Sequence, residues 1–340
     1  MKHANVAFFV PMVGCPHRCS FCDQNSITGE SRIPTPEEVD KTLKKAAREL
    51  HGFSEKAEIA FFGGSFTMIP RELMLSLLAP AKKWVDRKAF SGIRISTRPD
   101  AIDEEVLSVL KEYGVTSIEL GAQSCSDEVL LKNRRGHTFA DTQKAAELIR
   151  NAGFSLGLQM MTGMPGSDRD TDVLTAARFA ALKPDTMRIY PTLVLKNTLM
   201  AKWYENGEFV PQTLEEAALL CAELLDVFEL YKIKVIRLGL HAQDSLEENL
   251  VAGPYHPAFR EICEGLRFRK KIAPMLTRLP KGSYVLKVAP SEVSKCSGQH
   301  RANVEHWLSL GYAIKVVPDK NLAPGDFEVM ASEITTTQTF

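Results

Sequence analysis

Residues 14–22 read Gly-Cys-Pro-His-Arg-Cys-Ser-Phe-Cys, so that Cys15, Cys19 and Cys22 follow the spacing C-x3-C-x2-C. Three of the seven cysteines of the chain therefore lie within eight residues. Three soft thiolates on one short loop can hold three corners of an iron–sulfur cluster. A ferredoxin needs a fourth cysteine, and none lies near in sequence, so we expect one iron to be left open for a substrate or cofactor. A structural zinc loop that includes His17 is the alternative.

Short β-rich runs alternate with longer helical patterns along the rest of the chain. The predicted strands lie near Asn5–Val10, Glu58–Phe62, Ile93–Thr97, Ser117–Leu120, Phe154–Gln159, Thr186–Tyr190 and Lys234–Arg237. The predicted helices are Thr35–His51, Arg71–Lys88, Asp103–Tyr113, Asp141–Ala152, Arg169–Leu182 and Thr213–Tyr231. Such alternation implies parallel strands joined by right-handed crossovers. We therefore predict an α/β fold with a partial (β/α)6-type barrel, whose chemistry lies at the C-terminal strand ends. A doubly wound open sheet is the alternative.

The pattern changes after Leu240. We predict residues 1–240 as the barrel domain and residues 241–340 as a C-terminal extension, a small α/β appendage with a basic βαβ unit. The elements of that unit are a strand at Tyr284–Val288, a helix at Val293–Leu310 and a strand at Tyr312–Val317. Three elements are too few to bury a good core alone, so we expect the appendage to dock on the main domain.

The distribution of charge bears on possible partners. The chain contains 42 Lys and Arg residues against 42 Asp and Glu residues, so its formal net charge is zero. Residues 260–320 carry 12 basic and 5 acidic side chains, or +7, and the remainder carries −7. A basic face in this segment, interleaved with Phe268, Tyr284 and Trp307, would contact the phosphates and bases of RNA. A merely solvated basic surface is the alternative.

The composition, with 44% hydrophobic and 25% charged residues, is that of a folded globular protein. No apolar segment reaches the roughly 20 residues needed to span a membrane. The apolar run Val6–Val13 contains Pro11 and leads into the cysteines, so we interpret it as a buried strand rather than a signal peptide. We expect a cytoplasmic protein with no membrane partner.

The cysteine spacing, with Phe21 just before the last cysteine and a strand before the first, resembles the radical S-adenosylmethionine (SAM) superfamily. The resemblance implies that Cys15, Cys19 and Cys22 hold a [4Fe–4S] cluster and that Phe21 lies against the cofactors. It also implies that the open iron binds SAM. An electron from the cluster would then cleave SAM to methionine and a 5′-deoxyadenosyl radical. A donor such as flavodoxin or ferredoxin would supply that electron.

Motifs at the ends of the second, third and fifth predicted strands resemble SAM-contacting positions of the family. Gly63-Gly64-Ser65 resembles the motif that accepts the amino group of methionine, and glycines allow close backbone approach to a ligand. Ser96 stands where related enzymes have a glutamate that contacts SAM. Gln159 stands where the catalytic subunit of Elongator has a histidine. These residues are therefore candidate cofactor contacts.

The fourth predicted strand ends in Ile-Glu-Leu-Gly-Ala-Gln-Ser, where alternation places Glu119, Gly121 and Gln123 on one face. A buried carboxylate at Glu119 would need a partner, which a bound ligand or Arg135 could supply. Arg135 resembles the arginine that holds the SAM carboxylate, a role suited to a planar fork of donors. We include Glu119, Gln123 and Arg135 among the cofactor-binding candidates.

The segment 188–198, Arg-Ile-Tyr-Pro-Thr-Leu-Val-Leu-Lys-Asn-Thr, resembles the radical SAM domain of the Elongator catalytic subunit, as does 203–209. The resemblance implies Tyr190 and Lys196 as catalytic residues and an RNA base, in tRNA, as substrate. About a hundred residues follow Gly239, where Elongator continues with an acetyltransferase domain, so we do not expect acetyl transfer. The alternatives are a coproporphyrinogen-oxidase-like enzyme acting on a tetrapyrrole or small metabolite, and a non-catalytic haem-binding chaperone on the same fold.

The four remaining cysteines are not part of the loop. Cys125, Cys221 and Cys263 are expected to be buried apolar side chains. Cys296 lies beside Lys295 near a predicted helix start, a setting that would lower its thiol pKa and make it reactive.

Overall fold

The computed structural model describes residues 5–11, 15, 19–23, 32–50, 54–240 and 242–332. The chain divides into two compact units. The first consists of Met1–Ala217 and Val227–Tyr255, and the second of Ala218–Asp226 and His256–Phe340. A division into domains at residue 240 stays a proposal. None of the helices in the described ranges is long and apolar enough to cross a membrane.

Seven strands of the first unit form one parallel sheet. They are β1 (Asn5–Val10), β2 (Glu58–Gly63), β3 (Gly92–Thr97), β4 (Val115–Gln123), β5 (Ser155–Thr162), β6 (Thr186–Pro191) and β8 (Lys234–Leu238), and the short β7 (Val194–Leu195) pairs with β9 (Leu250–Ala252). The order β1-β2-β3-β4-β5-β6-β8 follows the chain without a reversal. A doubly wound sheet reverses its order, so that alternative is wrong. The predicted α/β fold, a partial barrel with a small C-terminal appendage, is confirmed.

Helices lie between successive strands of this sheet, and one further helix follows its last strand, β8. They are α1 (Pro36–Glu49), α2 (Arg71–Asp86), α3 (Glu104–Glu112), α4 (Asp127–Lys132), α5 (Phe139–Asn151), α6 (Arg169–Ala181), α7 (Leu199–Glu205), α8 (Leu214–Leu230) and α9 (Asp244–Asn249). At the start of α1, the Thr35 hydroxyl accepts from the Glu38 N–H while the Glu38 carboxylate accepts from the Thr35 N–H. This reciprocal capping fixes the first turn. Gly114 and Gly153, at φ +79° and +83°, end α3 and α5 in the left-handed conformation.

The two faces of the sheet differ in chemistry. On the helix-covered face, the ring of Phe61 stacks with those of Phe8 and Phe66 at 5.5 and 5.0 Å. On the opposite face, alternate residues of five neighbouring strands are polar. They are Glu58, Arg94, Glu119, Gln159 and Arg188. Because side chains alternate along a strand, a regular apolar core on one face leaves this row on the concave face.

The second unit is built on a three-stranded sheet. Its elements are α10 (Phe259–Leu276), β10 (Gly282–Val288), α11 (Val293–Ser297), α12 (Ala302–Ser309), β11 (Tyr312–Pro318) and β12 (Phe327–Ala331). Strand β10 pairs in parallel with β11, as the predicted βαβ unit requires, and antiparallel with β12. Ten buried residues, among them Ile272, Leu286 and Ile314, form its core.

Three expectations for this unit are corrected. The helix predicted over 293–310 is broken at Gly298, whose φ is +78°. Strand β12 was not predicted and adds a third strand to the βαβ unit. Its five residues form too short a pattern to indicate a strand from sequence. The aromatic residues expected to face RNA are core residues, since only 6%, 7% and 1% of the surfaces of Phe268, Tyr284 and Trp307 are exposed.

Candidate functional site

The three clustered cysteines follow β1, and all three are free thiols. Cys19 is buried, and Cys15 and Cys22 are partly exposed. The buried Asn133 holds the loop: its side-chain oxygen accepts from the Ser20 hydroxyl at 2.7 Å, and its carbonyl oxygen accepts from the Ser20 N–H at 3.2 Å. The Asn133 amide donates to the Pro165 carbonyl at 3.0 Å. Sequence reasoning missed Asn133, whose only signal is its place beside two arginines and a glycine.

The surroundings of Cys15 and Cys22 favour their protonated thiols until a cation is supplied. Burial raises the pKa of Cys22 to about 12, and the Cys19 and Cys15 thiols add to the effect. Burial and the Cys19 thiol also raise the pKa of Cys15, opposed by the Ser65 backbone N–H, Arg98 and Arg135. Cationic iron would compensate the thiolate charges.

A single metal ion fits the loop poorly. Within the described ranges, no three His, Cys, Asp or Glu side chains converge as the ligands of one ion do. His17, proposed as a zinc ligand, lies outside the described residues. A cluster takes each thiolate on a different iron and so accepts ligands that are further apart. Three thiolates on three irons would leave a fourth iron open for a ligand.

Arg135 is buried against the cysteine loop. Its Nη1 donates to the Cys19 sulfur at 3.2 Å, its Nη2 donates to the Gly121 carbonyl, and its guanidinium lies 5.9 Å from the centroid of the Phe21 ring. The Arg135 carbonyl in turn accepts from Arg98. The Nε of Arg135 has no hydrogen-bond partner in the described part of the chain. Arg135 thus links the cysteine loop to the end of β4, and its Nε–H remains available to donate to a ligand.

The end of β4 carries a second unsatisfied group. Gln123 is in the left-handed conformation at φ +68°, and its Oε1 finds no partner within the described residues. A Cβ at Gly121 would lie 3.2 Å from Gln123 Nε2 and 3.5 Å from Arg135 Nη2. Glycine at 121 therefore leaves the space in which these two side chains approach each other.

Gly63 and Gly64 attach the end of β2 to β1. Gly63 has φ +126°, and a Cβ there would lie 2.1 Å from the Val10 carbonyl oxygen, so no other residue fits. The Gly64 N–H donates to the same carbonyl at 3.1 Å. The Ser65 hydroxyl lies 2.8 Å from the Thr97 hydroxyl and accepts from the Arg98 N–H at 3.2 Å. This turn thus connects the strand before the cysteine loop to the end of β3.

A charged network occupies the concave face. Glu119, 1% exposed, accepts from Arg94 Nη1 at 2.8 Å and from Arg188 Nη2 at 3.0 Å. The Nε of Arg188 also lies 2.8 Å from Glu119 Oε2, within ion-pair distance. Gln159 Nε2 donates to Glu119 Oε2 at 3.2 Å, and Arg94 also pairs with Glu58 at 2.7 Å. The suggestion that Arg135 is the partner of Glu119 is wrong. The negative charges of two carboxylates balance the positive charges of two guanidiniums. Buried charges are tolerated when they are paired in this way.

Of the remaining candidates, Ser96 and Tyr190 lie on the face of the charged network and Lys196 lies on the surface. Ser96 lies on the same strand face as Arg94, and its hydroxyl is unsatisfied within the described ranges. Tyr190 lies on the same face of β6 as Arg188, which donates to its hydroxyl at 3.5 Å. Lys196 is exposed, and its ammonium donates to the Glu248 carbonyl at 2.7 Å. No contact between Lys196 and Tyr190 occurs in the part of the chain that the structure describes.

Two buried titratable groups near the strand ends were missed by sequence reasoning. His137 Nε2 lies 3.3 Å from the Ala122 carbonyl oxygen, and burial, with Arg135 and Arg98, lowers the pKa of His137 to about 4. Asp172 accepts from the Gly163 N–H at 2.8 Å and the Ser167 hydroxyl at 2.6 Å, and burial raises its pKa to about 6. Both hold loops at the C-terminal strand ends. Neither follows from periodicity.

Part of the basic run of the second unit is held in contacts within the protein. Arg267 and Lys270 pair with Asp226 at 2.7 and 3.4 Å, and Lys271 donates to the Gly325 carbonyl. The reactive thiol expected at Cys296 is also wrong. This side chain is fully buried, and burial and Glu292 raise its pKa to about 12.

The strand ends beside the thiols suit the amino acid part of SAM. An amino acid ligand next to a cluster needs acceptors for its amino group and donors for its carboxylate. The unpartnered Gln123 Oε1, Ser96 hydroxyl and Arg135 Nε lie at or near the ends of β3 and β4, and Arg135 contacts the Cys19 sulfur. The residues present therefore fit both a cluster and the amino acid part of SAM.

Comparisons with known families agree with this geometry. The model of the radical SAM superfamily matches residues 9–179, and that of a radical SAM C-terminal domain matches residues 184–266. A tRNA uridine(34) acetyltransferase of Methanocaldococcus jannaschii is 37% identical over 126 residues, which cover 36% of this chain and 23% of the relative. The chain thus spans about a quarter of the length of that relative.

Longer matches carry less functional information. An uncharacterized protein of Methanocaldococcus jannaschii is 28% identical over 272 residues, covering 74% of this chain and 80% of the relative. The solved structure of archaeal Methanocaldococcus infernus Elp3 with an N-terminal deletion superposes with a TM-score of 0.61 at 21% identity. That match covers 86% of this chain and 67% of the Elp3 chain, and it establishes a shared fold.

Proposed function

This chain belongs to the radical SAM superfamily, whose members use a [4Fe–4S] cluster and SAM, and from that premise we propose that it is an enzyme that modifies a base in tRNA. Two features support the substrate class. The segment 188–198 resembles the radical SAM domain of Elongator, and a relative of 37% identity is a tRNA uridine(34) acetyltransferase. The observation that carries the proposal is the concave face of the sheet, where polar and charged side chains suit a polar base.

The cofactor end of the site is formed by the cysteine loop and the ends of β3 and β4. Cys15, Cys19 and Cys22 would ligate three irons. When bound, the cluster supplies the electron that cleaves SAM to methionine and a 5′-deoxyadenosyl radical. Arg135 donates to the Cys19 sulfur and would offset the charge of the ligating thiolate. Its Nε would donate to a carboxylate, and Gln123 Oε1 would accept from an amino group.

The substrate end is formed by β6 and the charged network. Glu119 holds Arg188, and Arg188 donates to the hydroxyl of Tyr190, so the orientation of both side chains is fixed before a substrate arrives. Ordered polar groups on rigid strands position a base at low entropic cost. A reduced flavodoxin or ferredoxin of the cytoplasm is the proposed electron donor.

The test is release of 5′-deoxyadenosine by anaerobically reconstituted protein, with and without a cellular tRNA pool. We expect tRNA to raise the rate at least about tenfold, which corresponds to about 1.4 kcal/mol of activation free energy. Cys19→Ala should abolish cleavage. Cys125→Ala is the matched control, because this buried thiol lies outside the loop and should retain both iron and activity.

The alternatives give different results in the same assay. Stimulation by a tetrapyrrole instead of tRNA would favour the coproporphyrinogen-oxidase-like hypothesis. Haem absorbance on mixing, with no deoxyadenosine under any condition, would favour the chaperone hypothesis and remove the enzymatic proposal.

A further inference from the structure

We propose that the turn between α11 and α12 in the second unit binds the sugar–phosphate backbone of single-stranded RNA. The turn consists of Gly298, Gln299, His300 and Arg301, and Lys295 precedes it on α11. This inference rests on the proposed function in one respect, the choice of RNA as ligand. It replaces the basic run 267–271 as the RNA-facing element.

The position of the turn in the fold is the first observation. Two short helices, α11 and α12, connect the parallel strands β10 and β11, and a four-residue glycine-containing turn joins the helices. KH modules clamp the backbone of four nucleotides with a Gly-x-x-Gly loop. The turn here reads Gly-Gln-His-Arg, and Arg301, in the left-handed conformation, stands at the position of the second glycine. The turn therefore lies between two helices that connect neighbouring strands of a small sheet domain.

Hydrogen bonds and close packing on one side hold the turn in place. The buried Asn303 donates to the Gly265 carbonyl at 2.7 Å and to the Cys296 carbonyl at 3.0 Å. A Cβ at Gly265 would lie 3.3 Å from the Cα of Gly298, so α10 supports the turn closely. His300 and Arg301 are exposed on the other side. A preorganised, exposed element loses little conformational entropy when it binds.

The charges select the class of ligand. Lys295 and Arg301 form no ion pair within the described residues, whereas Arg267, Lys270 and Lys287 of the same unit do. No acidic residue lies between Lys295 and Arg301, and Glu292 is buried and accepts from the Gly325 N–H. The turn thus presents one cation, Arg301, with Lys295 nearby on α11, and it has no apolar side chain among its four members. This composition suits a phosphate backbone.

A single strand fits the proposed chemistry better than a duplex. An enzyme that acts on a base needs that base unpaired, and RNA loops offer such bases. A turn of four residues is long enough to contact only a few phosphates of one strand. We therefore assign the ligand as an unpaired segment of RNA that belongs to the substrate.

The backbone conformation of Arg301 allows RNA binding to be tested without a loss of stability. Its φ is +64° and that of His300 is +50°, a conformation that glycine adopts more easily than other residues. Arg301→Gly should therefore fold at least as well as the natural chain and still lose RNA affinity. If Arg301 served packing alone, Arg301→Gly would lower the stability of the protein and leave its RNA affinity unchanged.

The experiment uses the full chain and fluorescence anisotropy with a labelled 12-nucleotide single-stranded RNA of mixed sequence and with a tRNA pool. Lys295→Gln/Arg301→Gln should weaken binding at least about fivefold. The slope of log affinity against log salt should fall by about 1.4, because each phosphate that is no longer neutralised lowers it by about 0.7. Lys270→Gln/Arg278→Gln is the matched control. It removes the same charge from α10 and its end and should change affinity less than about twofold. Unchanged thermal unfolding shows that each variant is folded.

Three outcomes overturn the inference: wild-type affinity in the Lys295/Arg301 variant, an equal weakening in the control, or no RNA binding by the natural chain. The deoxyadenosine assay separates this inference from the proposed function. Stimulation by tRNA together with wild-type affinity in the turn variant removes the turn and leaves the function. RNA binding through the turn without stimulation leaves the turn and removes the function.

Discussion

At the scale of single residues, Arg135 has the most demanding surroundings. It contacts a cysteine sulfur, a strand-end carbonyl and an aromatic ring, and these partners come from separate parts of the chain. The chemistry of the guanidinium explains this, because its planar fork holds five donors in fixed directions.

Arg135→Lys is expected to keep the positive charge and lose the fork. The KM for SAM in the deoxyadenosine assay should rise about 10- to 100-fold, as expected for loss of a charge-assisted hydrogen bond of about 1.5–3 kcal/mol. Iron content should stay unchanged. Arg134→Lys is the control, because its neighbouring side chain is exposed and should leave KM unaltered. An unchanged KM in the Arg135 variant would contradict a role in SAM binding.

The sequence predicts residues of the cofactor site better than their partners. The three cysteines and Gly63 are recognisable because their chemistry or geometry allows no substitute. The partners of Glu119 are not, since Arg94 and Arg188 are 25 and 69 residues away and meet it only through strand pairing. Local periodicity places Glu119 on the concave face but does not indicate which cation also lies there.

At the scale of elements, the strands and long helices of the first unit are predictable to within a few residues. Capping boxes, glycine stops and regular alternation are local signals, and they agree with the global fold here. The second unit is less predictable because its signals conflict. Residues 293–310 have a helical composition, yet Gly298 and the packing of Gly265 against it divide the segment into two helices.

Helix α6 and the loop before it provide a pH test. The folded-state pKa of Asp172 is about 6, above the ordinary 3.8, so the folded protein binds this proton more tightly than the unfolded chain does. The free energy of unfolding should therefore fall as pH rises from about 4 to 6, by up to about 3 kcal/mol. Chemical denaturation of the natural chain and of Asp172→Asn over this range measures the difference.

Asn at 172 still accepts from the Gly163 N–H and does not titrate, so the variant should show a flatter profile. Asp170→Asn, exposed on the same helix, should follow the natural chain. Parallel profiles for the natural chain and the Asp172 variant would show that this carboxyl is not the source of the pH dependence.

At the scale of the whole molecule, the charged network contacts five of the seven strands of the large sheet. Glu119→Gln would leave Arg188 without its carboxylate while Arg94 retains Glu58. Breaking a buried ion pair from one side costs about 3–5 kcal/mol, so the midpoint of denaturation should fall markedly. Glu49→Gln, which removes an exposed pair with Lys45, should cost less than about 0.5 kcal/mol. Equal midpoints for the two variants would mean that the network is dispensable for stability.

The division of the chain into units has a consequence for its synthesis. The middle of α8, Ala218–Asp226, belongs to the same compact unit as residues 256–340, although 29 residues of the first unit, Val227–Tyr255, are translated in between. Its buried Cys221 lies against Cys263 of α10, and Asp226 pairs with Arg267. On the ribosome, this part of α8 therefore emerges well before Cys263 and Arg267, and the surface around Cys221 and Asp226 lacks these contacts until α10 is made. Fragments that end near residue 255 would keep that surface exposed, so expression of the first unit alone should require α8 to be redesigned.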